Sequence, residues 1–555
     1  MSRGITADGL EEFLNPTIEK LKFGDDGLPG IVEATNVILS ALETGREIVV
    51  FGDYDCDGVC ASAIVMRTLR ALIRHCPAYG RSTISSFLPN RLTEGYGMTE
   101  ESITRLLSSH PSVGLVVTVD NGINSVELIA RLKSRGISVV ITDHHLPSPE
   151  LPAADAIVNP KVKSSVDHEN LCGAGVAFYL SYHLLKTARE RGCYDGPKLC
   201  GPLVVLAGLA TITDVMPVTR QNRIIVSEAL KNFEKFAPAG LKALYRRAGK
   251  TTTDRMTSRD FGFLIGPRIN AAGRLNSADI ALELLECDDP DRAAELAQVV
   301  DGYNLERKQI EQDMFDQAWD QIVPDAPAQL IDLPTGHPGI AGIVAARLMD
   351  KLSECSSGAR PVCVIASGRG SARSPAGINI RDVFQSCSEY LDRFGGHAAA
   401  AGFSVKEGMV DAFREKLCEV CRDMVKPNER LGSSDPVELW LDPIDITLEL
   451  SNEIARFEPF GEGNPIPVFG LHDADLFAVQ TLGSDGRHLQ LTCRSRRIPR
   501  GIWWNHGDRI EEIRARSAET FDLHFTIETS TFGPPHPELR IRDVIFNKSK
   551  ESANE

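Results

Sequence analysis

What this sequence lacks narrows its class. No apolar run approaches the ~18–20 residues of a membrane-spanning helix; the longest candidate, PLVVLAGLATI at 202–212, is far too short. There is no excess of positive charge. Sixty Lys and Arg stand against 76 Asp and Glu, a net charge of −16, which argues against a protein that coats nucleic acid by bulk charge. A local basic groove stays open. The opening residues MSRGITADGLEEF carry acidic side chains where a signal peptide would need an apolar centre. Thirteen cysteines, odd in number and scattered over 555 residues, do not make a disulfide framework and read as reduced thiols of a cytoplasmic protein. Only Cys418 and Cys421 are close, in a helix-like stretch, and no second pair follows at zinc spacing. There is no internal repeat and no low-complexity tract. What remains is an ordinary globular composition, 42% hydrophobic and 25% charged, with a length that predicts roughly three to five domains.

The first ~220 residues alternate short apolar runs with helical periodicity. EIVVFG (47–52), TISSFL (83–88), GLVVTV (114–119) and SVVIT (138–142) read as strands. The stretches at 59–76 and 125–136 read as helices, and this alternation predicts an α/β fold with a mostly parallel sheet. Residues 287–325 form a charged connecting helix, and a second, smaller α/β pattern occupies 326–428. The segments of 429–555 are short, β-branched and turn-rich, as in a small β-barrel, and end in a polar tail. The catalytic lobe is therefore expected to occupy 1–286.

The chemistry concentrates in VVFGDYDCDGVCAS (49–62), where Asp53, Asp55 and Asp57 fall between a strand and a helix. Three carboxylates this close repel, so a positive partner must offset them. A calcium-binding EF-hand loop would need a Glu at its twelfth position; counted from Asp53, that position is Ile64. A capping aspartate in a plain turn explains one Asp but not three. Two further strands run into Asp120 and into Asp143, His144 and His145. In an open parallel sheet the carboxyl ends of strands form one crevice. Singly, each of these residues is as well explained as a turn, a cap or a core histidine; their shared position favours a metal site. Aspartates with imidazole and no thiolate suit Mn²⁺ or Mg²⁺, and six or more such groups suffice for two ions acting on a phosphoryl displacement. Asp214, at the end of LVVLAGLATITDV, is a further candidate.

GDYDCDG, VDNG, TDHH and ITDV, in this order, resemble the motifs of the DHH phosphoesterase superfamily. The chain is more closely similar to its RecJ family of single-strand-specific 5′→3′ DNA exonucleases, through PNRLTEGYG (89–97), LCGAGVAFYL (171–180), GPRINAAGRLNSA (266–278), GSARSPAGINI (370–380), FGGHAAAAGFSV (394–405) and FEPFGEGNPIPVF (457–469). The resemblance implies roles at a two-ion centre, loaded with Mn²⁺ or Mg²⁺, for Asp53, Asp55, Asp57, Asp120, Asp143, His144, His145 and Asp214. Asp55, Asp57, Asp120, His144 and Asp214 are the expected metal ligands. It further implies hydrolysis of single-stranded DNA to 5′-mononucleotides in repair and recombination. A single-strand-binding protein and a helicase are the expected protein partners, with a monomer as the default state and no membrane attachment.

Such an enzyme must also hold the strand. Arg91, Arg268, Asn270 and Arg274, and Ser371, Arg373 and Ser374 in GSARSP, offer guanidinium and hydroxyl groups for phosphate. His397 sits among glycines and alanines that let backbone approach a phosphate, the alternative being a tight turn into an Ala-rich helix. The stretch 486–507 contains Arg487, Arg494, Arg496, Arg497 and Arg500 with no acidic residue, then Trp503 and Trp504, and the resemblance implies an oligonucleotide-binding barrel there. Trp503 is the expected base-stacking residue, against an ordinary strand with buried Trp and exposed Arg. Two rival functions remain: another DHH phosphodiesterase acting on short oligonucleotides, which the region from 457 onward disfavours, and a non-catalytic DNA-binding scaffold, which the intact aspartates disfavour.

Overall fold

The structure, a computed structural model, describes all residues except 1–2, 4, 7–8, 24–27, 96, 164–165, 252–254, 355–358, 423, 425–435, 484–485, 517–518, 531–533 and 548–555. Two compact units form, one of residues 17–431 and one joining 1–16 to 432–555.

The larger unit opens with a sheet of β1 (Glu47–Phe51), β2 (Ile84–Phe87), β3 (Val113–Val119), β4 (Ser138–Thr142) and β5 (Ala156–Val158). Its order is β2-β1-β3-β4-β5 and every pairing is parallel. Both faces are covered, which is why the strands read as continuous apolar runs. Along β1, Ile48 and Val50 enter one core while Val49 and Phe51 enter the other. The chain steps from β1 outward to β2 and then returns past β1 to β3. That reversal makes the β1/β3 boundary a topological switch point, where a crevice opens at the strands' carboxyl ends.

Helices α1 (Cys56–His75), α2 (Gly173–Glu190), α3 (Cys200–Thr213), α4 (Gly266–Leu275) and α5 (Pro290–Trp319) complete the frame of the site. The expected connecting helix is α5. Asp289 caps it, accepting from Arg292 N at 2.8 Å, and Pro290 occupies its first turn. A second sheet follows: β6 (Gln329–Leu333), β7 (Val362–Ala366), β8 (Arg369–Arg373), β9 (Leu391–Gly396) and β10 (Ala400–Val405), in the order β6-β7-β8-β10-β9. Only β6 and β7 pair in parallel.

In the smaller unit β12 (Phe469–Leu482), β13 (His488–Cys493), β14 (Gly501–Trp503), β15 (Thr520–Ser530) and β16 (His536–Phe546) close into a five-stranded barrel. A short β11 (Leu439–Trp440) pairs with the start of β12. The barrel is filled by residues including Leu489, Trp503, Phe521, Phe525 and Leu539. Residues 1–16, read from the sequence with the catalytic lobe, belong to this unit instead. Arg3 donates to Glu438 at 2.8 Å and also bonds Asn464, and the rings of Phe13 and Phe457 meet edge-on at 5.8 Å. Among the described residues no helix is long and apolar enough to cross a membrane.

Candidate metal centre and strand-binding residues

The switch point gathers the motif residues. Asp53 follows β1 and is fully buried; its Oδ1 accepts from Tyr54 N at 2.8 Å, and its Oδ2 has no hydrogen-bond donor among the described residues. Asp55 caps α1, accepting from the backbone N–H groups of Asp57 and Gly58 at 3.0 and 3.1 Å. Asp57 faces the other way. Its two oxygens accept from Gly173 N at 2.7 Å and Ala174 N at 2.8 Å, so the positive N-terminal end of α2 fixes this carboxylate. Asp120 ends β3 with a left-handed backbone, φ 63°, which turns its side chain into the same crevice.

The residues after β4 divide the labour. Asp143 is saturated. Its Oδ1 accepts from His144 N at 2.7 Å, His145 N at 3.1 Å and His145 Nδ1 at 2.8 Å, and its Oδ2 from Ile123 N at 3.0 Å. It therefore shapes the loop and aims both imidazoles. His144 Nε2 reaches the centre, 3.2 Å from Asp120 Oδ1, 3.6 Å from Asp214 Oδ2 and 3.7 Å from Asp57 Oδ2. Asp214 arrives from a helix end, as the residue that closes α3.

The electrostatics describe a site whose carboxylates repel one another and favour a cation. Burial, reinforced by Asp55, pushes the Asp53 carboxyl up to about 8; burial, reinforced by Asp57 and Asp55, does the same for Asp214. Asp120 is raised by burial and by four neighbouring aspartates. Burial drives His144 down to about 4, keeping a neutral nitrogen lone pair. His145 goes up to about 9: burial opposes its charge, but the bond to Asp143 prevails. Three donor sets have ligand atoms within 4.8 Å of one another: Asp53, Asp55 and Asp120; Asp57, His144 and Asp214; and Asp120, His144 and His145. Buried oxygens without donors and mutually repelling carboxylates, with imidazole but no thiolate, fit hard divalent cations. Asp120 and His144 each belong to two sets.

Arg91 acts on Asp53 and Arg274 on Asp55, and Arg373 stands with these two arginines. Arg91 lies over the Tyr54 ring at 4.9 Å. Arg274 is held near about 10 by burial and by Arg91, and Arg373 is lowered for the same two reasons. Arg373 comes from β8, so the second sheet contributes to the same place. Close approach is built in: a Cβ on Gly342 would sit 3.0 Å from the Arg373 guanidinium.

Family models match the chain in three segments: DHH family, N-terminal domain, at 47–198; DHHA1 domain at 331–423; and RecJ OB domain at 437–543. The single-stranded-DNA-specific exonuclease RecJ of Escherichia coli is 33% identical over 472 residues, 80% of this chain and 78% of that one. The chain belongs to the RecJ family. Crystal structures of Thermus thermophilus RecJ in complex with Mn²⁺ and with Mg²⁺ superpose with TM-scores of 0.80 and 0.74 at 30% and 29% identity. Each covers 97% of this chain, which spans 74% and 73% of theirs.

Within this RecJ-family frame several expected strand contacts are otherwise engaged. Arg268 pairs with Asp301 at 2.9 Å and donates to Leu264 O at 2.8 Å, tying α4 to α5. Asn270 accepts from Cys56 N at 2.8 Å and so braces the start of α1. Ser374 is buried and bonds Ile378 O inside its turn. Trp503 corrects the sequence expectation: it is 2% exposed in the barrel core and cannot stack a base. Its neighbour Trp504 is 42% exposed, with Arg540 over its ring at 5.0 Å. Ser371 is half-buried on β8. His397 is exposed in the tight connection of the β9–β10 hairpin, where strands replace the alternative Ala-rich helix. Sequence reasoning missed the glycines that make room. A Cβ on Gly173 would lie 2.5 Å from the Asp120 Cβ, and one on Gly58 2.6 Å from that of Asp53.

Proposed function

We propose that this chain is a single-stranded-DNA-specific exonuclease that removes 5′-mononucleotides from the 5′ end and works in the cytoplasm beside a single-strand-binding protein and a helicase. The observation that carries the reading is the convergence of three strand ends and one helix end on a single buried carboxylate–imidazole cluster next to an arginine trio.

In this reading Asp53, Asp55 and Asp120 on one side, and Asp57, His144 and Asp214 on the other, hold two divalent ions, Mn²⁺ or Mg²⁺. Bound there, the ions supply Lewis acidity to the phosphate and lower the pKa of water. The protein's own groups do the rest. Asp143 holds His144 and His145 in place, and α2 keeps the Asp57 carboxylate fixed through two backbone N–H groups. Protonated His145 stands ready to donate a hydrogen bond to a phosphoryl oxygen. Arg91, Arg274 and Arg373 capture the terminal phosphate, and Ser371 and His397 line its approach. A strand anchored by its 5′ phosphate presents its first phosphodiester to the metal side, which sets the polarity.

Digesting a 5′-labelled and a 3′-labelled strand with Mn²⁺ or Mg²⁺ tests the proposal. Label leaves the 5′ end first as mononucleotide, and D120A, folded as judged by circular dichroism, loses activity by at least about 10³-fold, as removal of a shared ligand requires. Undiminished activity in D120A, or release from the 3′ end first, would refute it.

A further inference from the structure

Lys161 belongs to none of the motifs, yet the fold delivers it to the metal centre. It follows β5 in the segment VNPK. Asn159, 1% exposed, donates from Nδ2 to His145 O at 3.0 Å and accepts from Lys161 N at 2.7 Å. One amide thus joins the lysine's backbone to the histidine loop. The side chain is half-buried. Its charge acts on Asp214 and His144, while Asp214 and Asp143 act on it. Even so, among the described residues no carboxylate lies within ion-pair distance of its ammonium. Exposed lysines are normally solvated or paired. This one is partly dehydrated on the carboxylate side of the crevice, and among the described residues none accepts from its three donors.

Its position complements the arginines. Arg91 and Arg274 act on Asp53 and Asp55, with Arg373 beside them; Lys161 acts on Asp214 and Asp143. Resting on the exonuclease reading above, we propose that Lys161 contacts the retained strand, at the first phosphate on the 3′ side of the scissile bond. The arginines then grip the nucleotide that leaves and the lysine grips the strand that stays. A compact ammonium on a flexible stem can follow that phosphate as the strand advances.

Steady-state digestion of a single strand by full-length protein with Mn²⁺, over a series of salt concentrations, tests this with K161M and K161R. K161M raises KM by roughly tenfold or more with kcat within a fewfold, and its salt dependence is shallower by about one phosphate contact. K161R recovers most of the loss. A neutral methylphosphonate at the first phosphate 3′ of the scissile bond slows the wild type and leaves K161M unchanged. Melting temperature and Mn²⁺ affinity are not lowered in K161M. Unchanged KM and salt slope, or a fall in kcat together with weaker Mn²⁺ binding, would overturn the contact. A wild type that digests no DNA would sink the exonuclease reading instead.

Discussion

Asp120 and Asp143 are both buried aspartates at the ends of neighbouring parallel strands, and their surroundings give them opposite tasks. Asp143 would be raised by burial, but the hydrogen bond and charge of His145, with backbone N–H groups, hold it below the usual carboxylate range. Asp120 has neighbours of its own sign and is raised. Such carboxyls must lose protons to bind a cation, so affinity is linked to pH. Mn²⁺ affinity is expected to rise between about pH 6 and pH 9, with net proton release seen by calorimetry in buffers of different ionisation enthalpy. The stability sign follows. Asp53 and Asp214, raised to about 8, keep protons that the unfolded chain has already shed, and His145, raised to about 9, behaves likewise above its ordinary value. The metal-free fold therefore loses stability as pH climbs through this window. The melting temperature in EDTA should fall from pH 6 to pH 9, and saturating Mn²⁺ should remove most of that fall; a flat profile in EDTA would contradict it. The motif aspartates were legible because each falls where an apolar run stops. The family resemblance already left Asp143 out of the expected ligands; the reason was not legible, because it lies in backbone N–H groups of Ile123, His144 and His145 that leave no mark in the sequence.

Among the elements, α2 does what no motif announces. Its first turn binds Asp57, and its glycine at 173 lets Asp120 pass within contact distance. Gly173→Ala is expected to cost about 1–3 kcal/mol of stability, read by denaturant unfolding, and to depress activity by far more than Ala substitution on the far face of the same helix. Wild-type stability and activity in that variant would show the close approach to be unimportant. A strand boundary explains the tryptophan error. Trp503 closes β14 inside the barrel core, whereas Trp504 is the first residue of the turn that follows, and the sequence does not mark where the strand stops. The GGHAAAAG stretch shows the same limit. Its alanines favour a helix locally, while pairing of Ala401 and Gly402 with β8 and β9 makes them a strand.

At the scale of the whole molecule, the net charge of −16 includes the buried motif aspartates. Two divalent ions would offset part of it, and the cations proposed to meet DNA are local. The α/β and barrel regions were readable from the period of their apolar residues. The location of residues 1–16 was not, since nothing in that segment names its partner. Deleting 1–16 should lower the melting temperature of the barrel unit while leaving Mn²⁺ binding at the aspartate cluster intact; equal loss in both would argue against this assignment. The same arrangement sets an order of events during synthesis. Arg3 and Phe13 are made well before their partners, since Glu438, Phe457 and Asn464 come hundreds of residues later. At ~5–20 residues per second the earlier segment waits roughly 20–90 seconds for its partners. The large unit can fold in that interval, and the small one closes only once both of its pieces have been made.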